Sequence, residues 1–302
     1  MEQHQNLTAR LQAAGIAYRE QEPLAAHTTF KIGGPAAVFV QPADEAQLCQ
    51  AVRLCRELAV PCYLLGNGSN ILFGDRGYAG AVVSLAGMKG EVRREGDTLT
   101  APAGMPLSAL CMAALHAGLT GLEFAYGIPG TVGGAVYMNA GAYGGEMKDV
   151  LLSVRYLTAE GQIEEAPAAE LDLGYRHSVF ESNGGCILSA AVRLAPGDPE
   201  AIAARMDDLM GRRRDKQPLD KPSAGSTFKR PVGAFAGALI EQCGLRGYRH
   251  GGAAISEKHC GFVVNLGGAT CADVLALCAE VQKIVKDQTG FTLEKEIRVV
   301  EL

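Results

Sequence analysis

The sequence predicts an α+β protein on three observations. Strand patterns and helix patterns both recur along its 302 residues, and two glycine-rich stretches, 66–70 and 127–145, interrupt them. Glycine adopts a positive φ without steric penalty and leaves backbone amides uncovered, which suits a cradle for a phosphate-bearing cofactor. Among the glycines of the second stretch, Asn139 and Tyr143 are predicted to fix turns or donate hydrogen bonds. For each stretch taken singly, a structural loop is the alternative.

Composition narrows the class of protein. Hydrophobic residues make up 48% and charged residues 20%, which is ordinary for a globular enzyme, and the net charge of −5 gives no support to a nucleic-acid partner. The polar N-terminus and the lack of a long apolar run predict a cytoplasmic protein without membrane insertion. The nine cysteines contain no CxxC pair and are predicted to be small buried hydrophobes. The histidines lack ligand spacing, so no metal site is predicted.

In the first half of the chain, apolar spacing predicts helices at 5–15, 44–58 and 106–116. Strands are predicted at 36–41, 62–65, 81–85, 92–94 and 98–101. The Gly96-Asp97 pair marks a hairpin turn between the last two strands. No GxGxxG opens a helix, so the sequence does not predict a Rossmann nucleotide site.

The second half alternates in the same way. A hairpin is predicted over 150–158 and 162–165, and further strands at 186–194, 262–265 and 291–300. Helices are predicted at 199–215, 234–243 and 270–288, the last with Gly290 as its stop. A change of composition at Gln217 predicts a domain boundary. Period-two alternation in the last strand predicts that Glu294, Glu296 and Arg298 share one face.

Three short segments combine reactive side chains with turn residues: 174–178, the loop 223–229 and 293–298. The planar fork of Arg176 can grip a carboxylate or an oxyanion. From spacing alone, a structural polar turn or an ion-paired strand is the favoured interpretation of each segment, and the absence of GxSxG argues against a hydrolase. The residues therefore indicate a phosphate-bearing cofactor and leave the reaction open.

Five motifs in a fixed order add a resemblance: GNGSN, GIPGTVGGAVYMNAGAYGG, GYRHS, PSAGSTFKRP and LEKEIR. From about Thr28 to the C-terminus the chain resembles the UDP-N-acetylenolpyruvoylglucosamine reductase family. The resemblance implies an FAD-binding region of the PCMH type (vanillyl-alcohol-oxidase-like), made of subdomains 1–82 and 83–214. It implies a substrate-binding domain at 215–296, a tail at 297–302 that packs on the first subdomain, and a monomer or weak oligomer.

The implied reaction passes hydride from NADPH to FAD and then to the enolpyruvyl group of UDP-N-acetylenolpyruvoylglucosamine, giving UDP-N-acetylmuramate for peptidoglycan. By resemblance, Arg176 and Glu296 stabilise the aci-carboxylate and Ser226 donates the proton. The implied substrate-binding residues are Tyr175, Lys216, Arg230 and Arg298. The implied FAD-binding residues are Gly66, Asn67, Gly68, Ser69, Asn70, Pro129, Gly130, Gly133, Gly134 and Gly141.

Two positions depart from the family pattern. Arg230 stands where many members carry asparagine, and no tyrosine-bearing insertion lies between Arg176 and Ser226. The chain thus resembles the subtype without that insertion, with Arg213 or Arg214 as candidates for the diphosphate. The alternatives are an FAD oxidase of the same fold acting on another substrate and a non-enzymatic nucleotide-binding protein. The set Arg176, Ser226 and Glu296 favours the reductase over the oxidase.

Overall fold

The computed structural model describes residues 2–88 and 90–301. Met1, Lys89 and Leu302, which belong to the predicted subdomains and tail, lie outside the described residues. The helices are α1 Glu2–Ala13, α2 Glu45–Glu57, α3 Leu107–His116, α4 Val132–Tyr137, α5 Pro199–Lys216, α6 Ala236–Gln242 and α7 Cys271–Thr289. The strands are β1 Ala17–Pro23, β2 Pro35–Gln41, β3 Cys62–Leu65, β4 Ile71–Phe73, β5 Tyr78–Ser84, β6 Arg93–Glu95, β7 Thr98–Pro102, β8 Leu119–Thr120, β9 Gly141–Ala142, β10 Gly145–Glu146, β11 Leu151–Leu157, β12 Ile163–Pro167, β13 Cys186–Arg193, β14 Ala195–Pro196, β15 Ser223–Ser226, β16 Arg249–His250, β17 Ala253–Ile255, β18 Phe262–Asn265 and β19 Arg298–Val300.

Contacts between Cα atoms divide the chain into two compact units, each built from separate stretches. The first unit comprises the N-terminal residues to Arg19 together with 38–67 and 81–213. The second comprises 20–37, 68–80 and the chain from Arg214 onward. The division into domains at 1–82, 83–214 and 215–296 stays a prediction.

The first unit is built on a five-stranded antiparallel sheet in the order β12-β11-β13-β7-β6. The hairpin between β6 and β7 pairs Glu95 with Thr98 around Gly96, whose φ of 61° confirms the predicted turn. Strands β3 and β5 pair in parallel, and α2 begins where the Asp44 side chain accepts a hydrogen bond from the Gln47 amide at 2.9 Å. The predicted helix 5–15 ends early, at Ala13, because Gly15 turns the chain at a φ of 67°.

The second glycine stretch contains α4, which the sequence pattern does not predict. The Thr131 hydroxyl caps this helix by accepting from the Gly134 amide at 3.2 Å. Gly133 packs so closely that a Cβ there would lie 2.8 Å from the Cβ of Ala103. Low helix propensity of glycine hides the element in the sequence, while tertiary packing stabilises it.

The second unit carries a four-stranded antiparallel sheet in the order β15-β18-β17-β16, together with α6 and α7. The prediction of a loop over 223–229 is wrong for its first part, because β15 pairs Ser223 with Val264 and Ser226 with Phe262. Small polar residues do not give an apolar strand pattern, which explains the error.

The predicted strand 291–300 is also wrong over most of its length. Only β19 is a regular strand, and it pairs in parallel with β4. The preceding residues are held by separate backbone bonds, from the Lys229 amide to the Glu294 carbonyl and from the Glu296 amide to the Thr227 carbonyl, both 2.8 Å. A shared face for Glu294, Glu296 and Arg298 therefore does not follow from strand alternation.

The cysteines are free thiols, and seven are buried, as predicted; Cys62 and Cys243 are half-buried. Burial raises the pKa of Cys111, Cys186 and Cys278 to about 12, so these thiols stay protonated and unreactive. Within residues 2–88 and 90–301, no helix is long and apolar enough to cross a membrane.

A capping box at the start of α7 gives a test of the second unit's stability. The Thr270 hydroxyl accepts from the Asp273 amide at 3.0 Å, and the Asp273 carboxylate accepts from the Thr270 amide at 3.1 Å. We expect Thr270→Ala to lower the free energy of unfolding by about 1 kcal/mol, measured by urea denaturation. Thr270→Ser keeps the hydroxyl and serves as the control; equal loss in both variants would remove the cap from the explanation.

Candidate functional site

In the first unit, the two glycine-rich stretches are joined by a side chain. The Asn67 carboxamide donates to the Pro129 carbonyl at 2.6 Å. A Cβ on Gly66 would lie 2.6 Å from the Thr131 hydroxyl oxygen, so the Gly66 backbone approaches the Thr131 side chain as closely as glycine allows. Gly66 and Asn67 thus lie beside the predicted cofactor residues at 129–134.

The predicted cofactor glycines differ in what they contact. Gly133 is buried against Ala103, and a Cβ on Gly141 would lie 2.7 Å from the Glu146 side chain, so protein packing already requires both glycines. Gly134 is exposed, and its added Cβ would meet the Thr131 hydroxyl at 3.3 Å. An exposed backbone at Gly134, beside Thr131, fits the cradle of a phosphate-bearing cofactor.

The rest of the first glycine stretch, Gly68 to Asn70, belongs to the second unit. Gly68 has a φ of 60°, and a Cβ there would lie 2.3 Å from the His27 carbonyl oxygen, which no other residue could tolerate. The Asn70 carboxamide donates to the Glu296 carbonyl at 3.3 Å, and the Asn70 carbonyl accepts from the Arg298 amide at 2.9 Å. The structure thus brings Asn70 together with two of the predicted C-terminal site residues.

Arg176 lies in a tight four-residue turn of the first unit. The ends of the turn are paired, with the Gly174 amide 3.1 Å from the His177 carbonyl and the reverse bond at 3.3 Å. Arg176 takes the third position with a φ of 57°, where a type II turn usually has glycine or asparagine. Its guanidinium lies 5.0 Å from the centre of the Tyr175 ring, and Nη2 donates to the Gly141 carbonyl at 3.4 Å. The two predicted residues Tyr175 and Arg176 are therefore together, next to predicted Gly141.

A buried asparagine, Asn139, holds this turn and donates hydrogen bonds, as predicted from the sequence. Asn139 is 0% exposed, and its side-chain nitrogen donates to Glu146 and to the Gly174 carbonyl, both at 2.9 Å. Its side-chain oxygen accepts from the Lys148 amide at 2.9 Å. The only signal in the sequence is a polar residue inside the glycine stretch, and its partner 35 residues away is not visible there.

Arg213, in α5, is a half-buried cation of the first unit. A Cβ on Gly127 would lie 3.0 Å from its Cδ, and burial lowers the pKa of Arg213 while Tyr143 partly offsets that shift. No carboxylate of the described chain forms an ion pair with it. A desolvated arginine of this kind gains free energy when an anion binds.

In the second unit, Ser226 and Glu296 lie on neighbouring segments. Ser226 ends β15, and the next residue, Thr227, accepts the backbone hydrogen bond of Glu296 at 2.8 Å. The buried Thr227 hydroxyl accepts from the Val263 amide at 2.9 Å, which fixes the end of the strand. Both predicted catalytic side chains of this unit are half-buried.

His259 is a further polar residue beside this strand that the sequence pattern does not single out. Its Nδ1 accepts from the Gly261 amide at 3.0 Å, and the Gly261 carbonyl accepts from the Thr227 amide at 2.8 Å. Burial lowers the pKa of His259, so the neutral ring with its proton on Nε2 is favoured at neutral pH.

The predicted substrate-binding cations of the second unit lie on three separate segments, two of them at the ends of regular elements and the third, Arg230, in a loop. Lys216 is exposed at the end of α5, and Arg298 is half-buried at the start of β19. The Arg230 guanidinium lies 4.2 Å from the centre of the exposed Phe235 ring, a cation–π contact that restricts its orientation.

Comparison with known proteins identifies the family. The FAD binding domain model matches residues 36–166, and the model of the UDP-N-acetylenolpyruvoylglucosamine reductase C-terminal domain matches 217–300. The chain is 50% identical to the UDP-N-acetylenolpyruvoylglucosamine reductase of Lachnoclostridium phytofermentans, over 92% of this chain and 91% of that protein. The chain belongs to the UDP-N-acetylenolpyruvoylglucosamine reductase family.

Other members of this reductase family agree in length and fold. The reductase of Clostridium perfringens is 47% identical over 95% of both chains. The crystal structure of the reductase from Thermus caldophilus superposes with a TM-score of 0.79 and 35% identity, covering 95% of this chain and 99% of that one. The predicted fold class, an α+β protein with a PCMH-type FAD-binding region and a C-terminal domain of this family, is confirmed.

The contrast between Gly133 and Gly134 predicts separate effects on folding and on FAD binding. Gly133→Ala overpacks against Ala103 and is expected to lower the stability of the FAD-free protein by about 1–3 kcal/mol. Gly134→Leu is expected to fold normally and to weaken FAD binding by about tenfold or more, about 1.4 kcal/mol. Denaturation of the FAD-free protein and titration of flavin fluorescence measure the two effects. Tight FAD binding by Gly134→Leu would exclude Gly134 from the cradle.

Proposed function

We propose that this chain is an FAD-dependent reductase that uses NADPH to reduce UDP-N-acetylenolpyruvoylglucosamine to UDP-N-acetylmuramate in peptidoglycan precursor synthesis. The observation that carries the proposal is the 50% identity to a reductase of that name over nearly the whole of both chains. A cytoplasmic location and a monomer or weak oligomer belong to the same proposal.

Bound FAD supplies the hydride acceptor and donor that such a reaction needs. We assign its binding to the two glycine-rich stretches, at Gly66 to Asn70, Pro129, Gly130, Gly133, Gly134 and Gly141. The hydrogen bond between Asn67 and Pro129 supports this assignment, as does the exposed backbone at Gly134. Gly133 and Gly141 contribute by permitting the close packing of the protein around this backbone.

Arg176 is assigned to the substrate carboxylate. Hydride addition to the methylene carbon leaves negative charge on the adjacent carbon and its carboxylate, and a guanidinium stabilises such charge through two parallel hydrogen bonds. The closed 174–177 turn and the bond from Arg176 to Gly141 hold the guanidinium in place before substrate binds. Because the guanidinium is already in position, the reaction does not include the free-energy cost of ordering a mobile arginine.

Ser226 is assigned as the proton donor and Glu296 as a second group at the carboxylate. A serine hydroxyl is a weak acid, so the role requires neighbours that stabilise the alkoxide or pass on a proton. The fixed backbone link between Thr227 and Glu296 supports such an arrangement, because it holds Glu296 on the segment next to Ser226. A protonated Glu296 can donate a hydrogen bond to the same carboxylate.

The UDP end of the substrate requires cations and a stacking surface. Lys216, Arg213 and Arg230 are assigned to the diphosphate, with Tyr175 and Arg298 as further substrate contacts. The desolvation of Arg213 and the ordering of Arg230 over Phe235 support these assignments, because both raise the free-energy gain on binding an anion.

An anaerobic titration followed by visible spectroscopy tests the proposed function. NADPH is expected to bleach the flavin of the purified holoenzyme, and UDP-N-acetylenolpyruvoylglucosamine is expected to restore the colour without oxygen. Recovery with oxygen alone would overturn the substrate assignment in favour of an oxidase of the same fold. Failure to take up added FAD would overturn the cofactor assignment.

Ser226→Ala separates proton donation from the rest of the reaction. We expect reduction of FAD by NADPH to stay within about twofold of the wild-type rate, while reoxidation by the enolpyruvyl substrate slows by about 10²–10⁴-fold. Stopped-flow absorbance measures each half-reaction. Ser223→Ala, in the same strand, is the matched control. Equal slowing of both half-reactions by Ser226→Ala would refute the proton-donor role.

A further inference from the structure

Both ring nitrogens of His177 face carboxylates. Nε2 lies 3.0 Å from an Asp172 oxygen, and Nδ1 lies 2.9 Å from a Glu181 oxygen. An ionised carboxylate only accepts hydrogen bonds, so both contacts form together only when each ring nitrogen carries a proton. The geometry therefore selects the imidazolium form of His177.

These two carboxylates span the turn that carries Arg176. Asp172 precedes the turn, Glu181 follows it, and His177 is its last residue, paired through its backbone with Gly174. Asp172 has a φ of 46° and Arg176 a φ of 57°, so two residues with side chains occupy the left-handed region within five positions. Such conformations persist only where the surrounding structure overdetermines them.

The charges around the ring set the direction of its titration. Hydrogen bonds to Glu181 and then to Asp172 raise the pKa of His177, against the opposing effect of burial. On the packed element that Asn139 joins to Gly174, the charged groups are Glu146 and Lys148, which pair with each other at 3.0 Å. The neighbouring charge within the turn is Arg176 itself. Because the folded-state pKa lies above the unfolded value of about 6.5, the stabilisation is complete below that value and is lost as the pH rises through the folded pKa.

We propose that His177, held as a cation between Asp172 and Glu181, is a positioning residue that keeps the 174–177 turn closed and so sets the position of the Arg176 guanidinium. Loss of the proton removes one of the two ring contacts and loosens the turn at its C-terminal end. Reduction of the enolpyruvyl group then weakens at high pH, while reduction of the flavin does not. This inference rests on the proposed role of Arg176.

The test compares His177→Gln with the wild-type holoenzyme in each half-reaction over a range of pH. Both N–H donors of glutamine lie on one nitrogen and its side chain is uncharged, so it cannot bridge two carboxylates on opposite sides as the imidazolium does. We expect flavin reoxidation by the enolpyruvyl substrate to slow by about tenfold at pH 7, which is within the roughly 10²-fold that a misplacement of about 1 Å can cost. Flavin reduction by NADPH should stay within about twofold, and the alkaline decline of the wild-type profile should be absent. Glu181→Gln should shift that decline to lower pH, and more than Asp172→Asn, because Glu181 is 26% exposed and Asp172 80%.

His250→Gln is the matched control, since His250 also pairs with a carboxylate, Glu280, at 2.9 Å, but in the second unit. A readout independent of turnover is the NMR titration of the His177 ring in the FAD-free protein, with the midpoint expected above 6.5. A midpoint at or below that value, or an unchanged rate and pH profile in His177→Gln, would overturn the proposal. Failure of the enolpyruvyl substrate to reoxidise the wild-type flavin would instead overturn the proposed function. The NMR titration would still decide whether His177 is held as a cation between Asp172 and Glu181.

Discussion

One buried carboxamide, that of Asn139, connects the parts of the first unit on which the proposed chemistry depends. Its three hydrogen bonds reach Glu146, the Gly174 carbonyl and the Lys148 amide. Because a buried polar group left without a partner is costly, removing any one of these contacts would disturb the others. The glycine stretch therefore fixes the position of the turn that carries Tyr175 and Arg176. The hydrogen bond from the Arg176 guanidinium to the Gly141 carbonyl is a second link between this turn and the glycine stretch.

The regular parts of the fold could be predicted from sequence because their signals are local. Apolar periodicity identified α2, α3 and α7, and Gly96 and Gly290 identified a turn and a helix end at φ values of 61° and 78°. Strand β15 and helix α4 were not predicted, because their small residues and glycines show neither the apolar periodicity of a helix nor that of a strand. Residues 291–297 gave the opposite error, a predicted strand that the structure lacks. Their alternating pattern accompanies isolated backbone hydrogen bonds and not the continuous ladder of a strand.

The candidate site was less predictable from residue patterns than the fold. Arg176, Ser226 and Glu296 were identified by resemblance, because nothing in their spacing separates a reactive group from a polar turn. The partners of His177 and Asn139 depend on tertiary contacts, among them one between residues 35 apart in the chain. The glycines show the same limit: density suggested a ligand, whereas Gly133 and Gly141 are already required by the protein's own packing.

The backbone of Arg176 places stability and the proposed role of its side chain in opposition at a single position. An L-residue in the left-handed region costs roughly 1–2 kcal/mol relative to glycine, so selection for stability alone would replace this arginine. Keeping arginine at this position means that the surrounding hydrogen bonds must offset the conformational free energy that its positive φ costs. Thermostabilisation of this protein by consensus or computational screening should for that reason leave the 172–177 segment fixed, since the substitution that most relieves strain at Arg176 also removes the side chain proposed to bind the substrate carboxylate.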